Sequence, residues 1–371
     1  MIHHLSKSHE VTVASLAHDE QELRAAAPLA QHCQQVIAEI VPNRVRWSNA
    51  VLALPTAFPS SAAYFRSERL ARRIQEAWCS SKFDGLIVHC AFAAQYALPL
   101  SGGFRVMDFG DLDSAKWSDY AAHRRFPLST GYAFEAGKLS AFEKRVAAAA
   151  THCTFTTRGE MDAFHSFGLS KPVTVIPNGV DTSYFHRQTQ PPAGSKVLAF
   201  LGRMDYFPNI DGICWFAREI FVPIRSLIPD AQLRIIGSNP ARAVQDLATL
   251  PGVTVTGYVP DVRPHLADAA IAIAPLRLAR GTQNKILECM GMGLPVVTTP
   301  QAARGIQATP GQHLLVADTP ERQIQSIVEL LGDPARQARL GEAGRLQAEF
   351  AHQWPSSMQI LDEVLLGASR H

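Results

Sequence analysis

Short apolar runs, many of them β-branched, alternate along nearly the whole chain with longer stretches in which apolar residues recur every three or four positions. In the first half the runs at 11–13, 85–88, 105–107, 154–156 and 173–176 read as strands, and 67–80, 134–149 and 158–167 read as helices. Strands that are apolar at nearly every position are buried on both faces, so the pattern predicts parallel sheet covered by helices. At 187–196 (RQTQPPAGSK) both periodicity and apolar anchors stop, as expected of a linker. The alternation then restarts with strands at 197–201, 233–236, 253–256, 270–274, 296–298 and 314–316, and the tail from Asp333 reads as helical apart from a break near Trp354-Pro355. The predicted fold is α/β, with two doubly wound Rossmann-like domains facing a cleft. Their expected bounds are 1–187 and 197–371, joined by a linker at 188–196, with the last helix free to pack back on the N-terminal domain.

Composition narrows this picture. Of 371 residues, 47% are hydrophobic and 18% charged, enough apolar matter for two cores and unlike a disordered chain. Net charge is +2, so no strong field selects nucleic acid as a partner. The six cysteines (33, 79, 90, 153, 214, 289) form no CxxC pair and read as thiols in a reducing compartment. Apolar runs are strand-length, well short of the ~20 residues that span a bilayer, and the first residues lack the apolar core of a signal peptide. The expected location is the cytoplasm, including the inner face of its membrane.

In open α/β sheets, ligands bind beyond the carboxyl ends of the strands, where loops meet helix N-termini. No GxGxxG follows the first strand, and neither GxSxG nor HExxH occurs. The P-loop-like stretch from Gly131 to Lys138 has one residue too many before Gly137-Lys138, and Leu139 stands where Ser or Thr would hold magnesium. His89 ends a strand, where lining a cleft and a structural hydrogen bond are equally open readings.

The strongest signal follows strand 270–274. Arg280, Gly281 and Thr282 precede a helix starting near Lys285, so exposed backbone N–H groups and a cation gather at a helix start, with Glu288 one turn on. Such a set suits a nucleoside diphosphate, the amides and Lys285 holding phosphate and Glu288 accepting from ribose hydroxyls. A surface Lys–Glu pair is the equally weighted alternative. Strand 197–201 ends in Gly202-Arg203, where glycine permits close approach and the guanidinium can grip phosphate. The loop Gly257-Tyr258-Val259 offers backbone to edge a nucleobase.

Ile176-Pro177-Asn178-Gly179-Val180-Asp181 with Tyr184-Phe185, then Leu201-Gly202-Arg203, Gly257-Tyr258-Val259, Asn284-Lys285-Ile286-Leu287-Glu288 and Gly293-Leu294-Pro295-Val296-Val297, resembles the retaining glycosyltransferases of family four, of GT-B fold. Asp108 to Ser114 with Lys116-Trp117, and Met204 to Asn209, resemble more narrowly the sugar transferases of exopolysaccharide and PEP-CTERM/exosortase gene clusters. The resemblance implies transfer of a sugar, with retention, from a nucleotide-diphosphate donor to a glycan or lipid-linked acceptor in exopolysaccharide biosynthesis. It further implies that Arg203 and Lys285 hold the diphosphate and Glu288 the ribose. No cofactor or metal is implied, so Asp111-Leu112-Asp113 is not read as a metal-binding DxD. Asp108, Asp111 and Asp113, following strand 105–107, are the candidates for orienting acceptor or donor sugar. Helix capping is the plainer role for Asp113.

Departures from the family pattern are also readable. Arg280 stands where members often have a glutamate that touches the donor sugar, and Asn209 where many have lysine. Met1-Ile2-His3-His4-Leu5 resembles the end of a first helix. The chain is therefore expected to lack the opening strand and to be truncated upstream, leaving two neighbouring strands without a pairing partner. Peripheral membrane contact is expected, if anywhere, through helix 64–78, where Phe65, Leu70, Ile74 and Trp78 share a side and Arg66, Arg69, Arg72 and Arg73 add charge. Two other readings stand beside the transferase. One is a nucleotide-sugar epimerase of the same architecture; the other is a non-catalytic nucleotide-sugar binder.

Overall fold

The structure, a computed structural model, describes residues 1–187, 192 and 194–370. It divides into two units. The first comprises Met1–Ile176 and Met358–His371, the second Pro177–Ser357. The expected linker at 188–196 falls largely outside the described residues. Residues 177–187, assigned from sequence to the first domain, belong to the second unit. Val180 is buried in that unit's core, and its N–H donates to the His352 carbonyl over 2.8 Å. Apolar content outweighed the proline-rich break that suggested a later boundary.

The first unit contains six parallel strands in two separate sheets. β1 (Thr12–Ala17) pairs with β2 (Gln35–Ile40), while β3 (Gly85–His89), β4 (Phe104–Gly110), β5 (His152–Phe155) and β6 (Val173–Val175) form a second sheet in sequence order. β1 and β3 each have a ladder on one side only. Five helices matter below: α1 (Asn43–Ala53), α2 (Glu68–Ser80), α3 (Asp113–His123), α4 (Leu128–Ala149) and α5 (Arg158–His165). Period-two alternation along β4 divides the core. Met107 and Phe109 join Phe155 and Phe164 on one face, where the Phe109 and Phe155 rings stack at 5.2 Å. Val106 points the other way, onto Leu5 and the C-terminal helix residues Leu361 and Val364.

The apolar residues of 64–78 turn inward. Leu70 is buried, Phe65 stacks on Phe92 and Trp78 stacks on Phe83. Arg69 and Arg73 both pair with the buried Glu39 carboxylate. That helix, which packs on β1 and β2, therefore presents no apolar stripe outward.

The second unit is one six-stranded parallel sheet. Its strands are β7 (Val197–Leu201), β8 (Gln232–Ile236), β9 (Val253–Val255), β10 (Ile271–Ala274), β11 (Val296–Thr298) and β12 (Leu315–Val316), in the spatial order β12-β11-β10-β7-β8-β9. The order reverses at β7, so β7 and β10 diverge into opposite halves, and the crevice at their carboxyl ends is the ligand position of doubly wound sheets. α6 (Phe207–Phe216) follows β7 and α7 (Asn284–Gly291) follows β10.

Candidate functional site

The second unit gathers its polar groups at the ends of β7 and β10. The chain leaves β7 at Gly202, where a Cβ would stand 2.8 Å from Asn209 Nδ2 and 3.2 Å from Lys285 Nζ. A side chain there would fill the space in which these groups meet. Gly237 packs so tightly on the Gly202 carbonyl, at φ +152°, that a Cβ would collide with it. Asn209 Nδ2 donates to the Arg203 carbonyl at 2.7 Å, and Lys285 Nζ donates to Asn209 Oδ1. The ammonium also lies 5.1 Å from the Phe200 ring centroid. Asn209 and Lys285, which follow different strands, thus meet at the same point.

Burial lowers the Lys285 pKa to about 8, against a smaller opposing pull from Glu288. Burial likewise raises the Glu288 carboxyl, with Lys285 opposing. A cation held half-buried without a carboxylate in hydrogen-bond contact is incompletely compensated, and an incoming anion would complete it.

Two features of α7 point the same way. No side chain caps its N-terminus; in its first turn the Ile286 N–H donates to the Gln283 carbonyl at 2.9 Å, which leaves the Asn284 and Lys285 N–H groups to an outside acceptor. Just before it, the Thr282 hydroxyl is buried with no hydrogen-bond partner. Gly281 holds φ +63°, turning the chain into this start, and Asn178 Nδ2 donates to Asn284 Oδ1 over 3.0 Å to fix the first residue. The Arg280 carbonyl accepts from Gln283 Nε2 at 2.9 Å.

Arg203 sits differently from expectation. Its guanidinium is mostly exposed and forks onto Asp205, with Nη2 to Oδ2 at 2.8 Å and Nε to Oδ1 at 3.2 Å. Only its backbone meets the Lys285–Asn209 pair. Exposed ion pairs are worth about 0–1 kcal/mol, so exchanging Asp205 for a phosphate costs little. Tyr258 is exposed and Val259 packs on the core, leaving the backbone after Gly257 at the sheet end.

In the first unit the three aspartates do not converge on an open surface; each carboxylate has a partner. Asp108 Oδ1 accepts from Thr154 Oγ1 at 2.9 Å, and Oδ2 meets His89 Nδ1 at 2.7 Å. Asp111 accepts from Thr156 Oγ1 at 2.9 Å, and burial raises its pKa. Asp113 pairs with Lys116 one turn on. Asp113 does not cap the helix through its side chain. Asp113 is the first residue of α3, and the N–H groups at that helix start donate to carboxylates from elsewhere, Leu112 N to Glu160 at 2.8 Å and Ser114 N to Glu143 at 3.1 Å. Sequence reading missed both acids. Glu143 carried a usable signal, since it interrupts the apolar i, i+4 row Leu139–Glu143–Ala147 on α4.

His89 has both a hydrogen-bond partner and an open side. The Asp108 hydrogen bond, aided by Cys90, raises its pKa to about 10, and its ring is 68% exposed at the carboxyl end of β3. It is a charged imidazole braced from one side and open on the other.

Comparisons with known proteins agree with this geometry. Residues 1–184 match the family model "Glycosyltransferase Family 4" and residues 195–333 match "Glycosyl transferases group 1". Among solved structures, sucrose-phosphate synthase from Thermosynechococcus elongatus superposes with a TM-score of 0.67 at 16% identity, covering 98% of each chain. Anabaena HepE in complex with UDP-glucose gives 0.63 at 15%, covering 96% of this chain and 99% of its own. The chain belongs to the glycosyltransferase families that these two models describe, and its fold is GT-B. Two curated relatives, each 28% identical, are GDP-mannose-dependent phosphatidylinositol monomannoside mannosyltransferases: one from Mycolicibacterium smegmatis matching 60% of this chain, and a monoacylated-substrate enzyme from Corynebacterium glutamicum matching 58%. The matches span 64% and 62% of those relatives, a little under two thirds of their length.

Proposed function

We propose that this protein transfers a sugar from a nucleotide-diphosphate donor, with retention at the anomeric carbon, to a glycan or lipid-linked acceptor in exopolysaccharide biosynthesis. The observation that carries the reading is the Lys285 ammonium beside Asn209 and Gly202, at a helix start whose amides are uncapped. In this reading the diphosphate lies on the α7 amides and Lys285, the Thr282 hydroxyl donates to a phosphate oxygen, and Arg203 swings from Asp205 onto the same group. These preorganised positive charges stabilise the negative charge that grows on the departing diphosphate. Glu288 accepts from the ribose hydroxyls. Asp108 with His89, and Asp111, orient the acceptor or the donor sugar. No cofactor or metal takes part.

The relatives are named for GDP-mannose and HepE was solved with UDP-glucose, so these two donors head the screen. Release of nucleoside diphosphate in the presence of an acceptor extract, with the product's anomeric configuration read by NMR, tests the proposal. Lys285→Ala should weaken nucleoside-diphosphate binding about ten- to hundredfold, the loss of ~1.5–3 kcal/mol from hydrogen bonds to a charged group. Unchanged affinity would remove the proposed site. Arg280 in place of a glutamate, with the guanidinium of Arg203 on Asp205, favours one other reading, a nucleotide-sugar binder without turnover. It predicts donor binding with no diphosphate release.

A further inference from the structure

The turn between β10 and α7 is one-sided in charge. From Ala269 to Ala317 the chain carries a single carboxylate, Glu288, against Arg277, Arg280, Lys285 and Arg304. Two of these cations are engaged. Arg277 donates from Nε to Asp211 Oδ2 at 2.9 Å, with its guanidinium 5.5 Å from the Trp215 ring centroid, and Lys285 holds Asn209. Arg280 is half-buried within the turn itself, two residues before Thr282.

A neighbouring loop backs that turn. Gly305 follows β11, the strand beside β10, and packs so closely that a Cβ there would stand 2.1 Å from the Gly281 carbonyl oxygen and 3.0 Å from Thr282 Cα. The residue before Gly281 is Arg280, and the residue before Gly305 is the exposed Arg304. Each arginine is thus one Cα step, about 3.8 Å, from the point where the two loops touch. A second cation reinforces the field in which Arg280 stands.

The order of groups along the chain sets their order along the donor. Glu288 stands at the ribose, and Lys285, Thr282 and the α7 amides stand at the diphosphate. The sugar hangs from the far phosphate, so the next residue it meets is Arg280. A guanidinium has five donors and no acceptor, and the Arg280 carbonyl is already taken by Gln283 Nε2 at 2.9 Å. The hydroxyls of a neutral hexose, each with a proton to place, therefore find no charged acceptor there. A carboxylate on the sugar only accepts, and its two oxygens match the guanidinium fork.

We infer that Arg280 selects a donor whose sugar carries a carboxylate, a uronic acid in place of a neutral hexose. This rests on the diphosphate site proposed above. Calorimetric titration of the full chain compares UDP, UDP-glucose and UDP-glucuronic acid, and likewise GDP, GDP-mannose and GDP-mannuronic acid. With the base that the protein accepts, the uronate donor should bind about ten- to hundredfold more tightly than its neutral counterpart. Arg280→Ala should bring that ratio close to one. Arg280→Glu, which offers hydroxyls an acceptor and repels a carboxylate, should invert it. Equal binding of the two donors, or a ratio that Arg280→Ala leaves in place, overturns the inference. So does an Arg280→Ala loss as large for the free nucleoside diphosphate as for the uronate donor, because Arg280 would then be a phosphate contact. Lys285→Ala separates the two levels. Nucleoside-diphosphate binding that survives it removes the diphosphate site, and the inference with it, whereas binding that depends on Lys285 but shows no uronate preference removes the inference alone.

Discussion

Lys285 is the residue on which the proposed donor site turns, and its burial gives a signature that a surface lysine lacks. With a pKa near 8 rather than 10.5, the free protein loses the ammonium as pH rises through about 8. Nucleoside-diphosphate affinity should therefore fall above that point, approaching tenfold per pH unit, with the ligand's phosphates already fully ionised. Lys285→Arg keeps its charge far above this range and should flatten the profile even if geometry costs it some affinity. Calorimetric titration from pH 6.5 to 9.5 reads both curves, and parallel slopes would argue against Lys285 as the phosphate contact. His89 gives a second titration with the opposite displacement. Its folded pKa, about 10, lies above the unfolded 6.5. The pairing with Asp108 thus stabilises fully below pH 6.5 and is lost as pH rises towards 10. In Asp108→Asn the imidazole resonance should titrate back towards 6.5, and an unmoved midpoint would dissociate the two groups.

At the scale of elements, the start of α3 shows how the fold manages a helix end from outside the helix. Glu143 from α4 takes the Ser114 N–H and hydroxyl, and Glu160 from α5 takes the Leu112 N–H. Burial dominates the opposing hydrogen bonds and raises the Glu143 pKa to about 7. An acid whose folded pKa lies above its unfolded 4.5 disfavours folding once the unfolded chain ionises. Stability should therefore decline as pH rises from about 4.5 to 7 and stay lower above it. Glu143→Gln retains an acceptor and cannot ionise, so its melting temperature should gain on the wild type between pH 5 and pH 8. A constant difference would place the Glu143 titration elsewhere. Most strands were legible in the sequence because parallel strands buried on both faces leave uninterrupted apolar runs. β2 was not, since Gln35 and Glu39 break its run and Glu39 is neutralised only by Arg69 and Arg73 from α2. α1 escaped for the converse reason: a buried arginine and exposed tryptophan and leucine invert the 3.6-residue pattern. Of the proposed donor site, Gly202, Lys285 and Glu288 carry strand-end chemistry that the sequence shows directly. The relay through Asn209 was not legible, because it joins residues 76 apart in sequence.

Over the whole molecule, the chain's last helix leaves the unit in which it starts. Trp354 to Ser357 lie in the second unit, yet Met358, Leu361, Val364 and Leu365 are buried with Leu5 and Val106 in the first. Every proposed donor contact lies in the second unit, between residues 202 and 288. Stability of the first unit and affinity for the nucleotide should therefore separate experimentally. Leu361→Ala removes a side chain that is 1% exposed, which should cost about 2–5 kcal/mol. Calorimetry should show the transition of the first unit moving down, with that of the second and the nucleoside-diphosphate affinity unchanged. Sugar transfer, by contrast, should fail at temperatures where the first unit has melted, because the aspartates and His89 lie there. Loss of nucleotide affinity in step with that melting would mean that the diphosphate is not held by the second unit alone, and Lys285, Thr282 and the α7 amides would no longer suffice as its site.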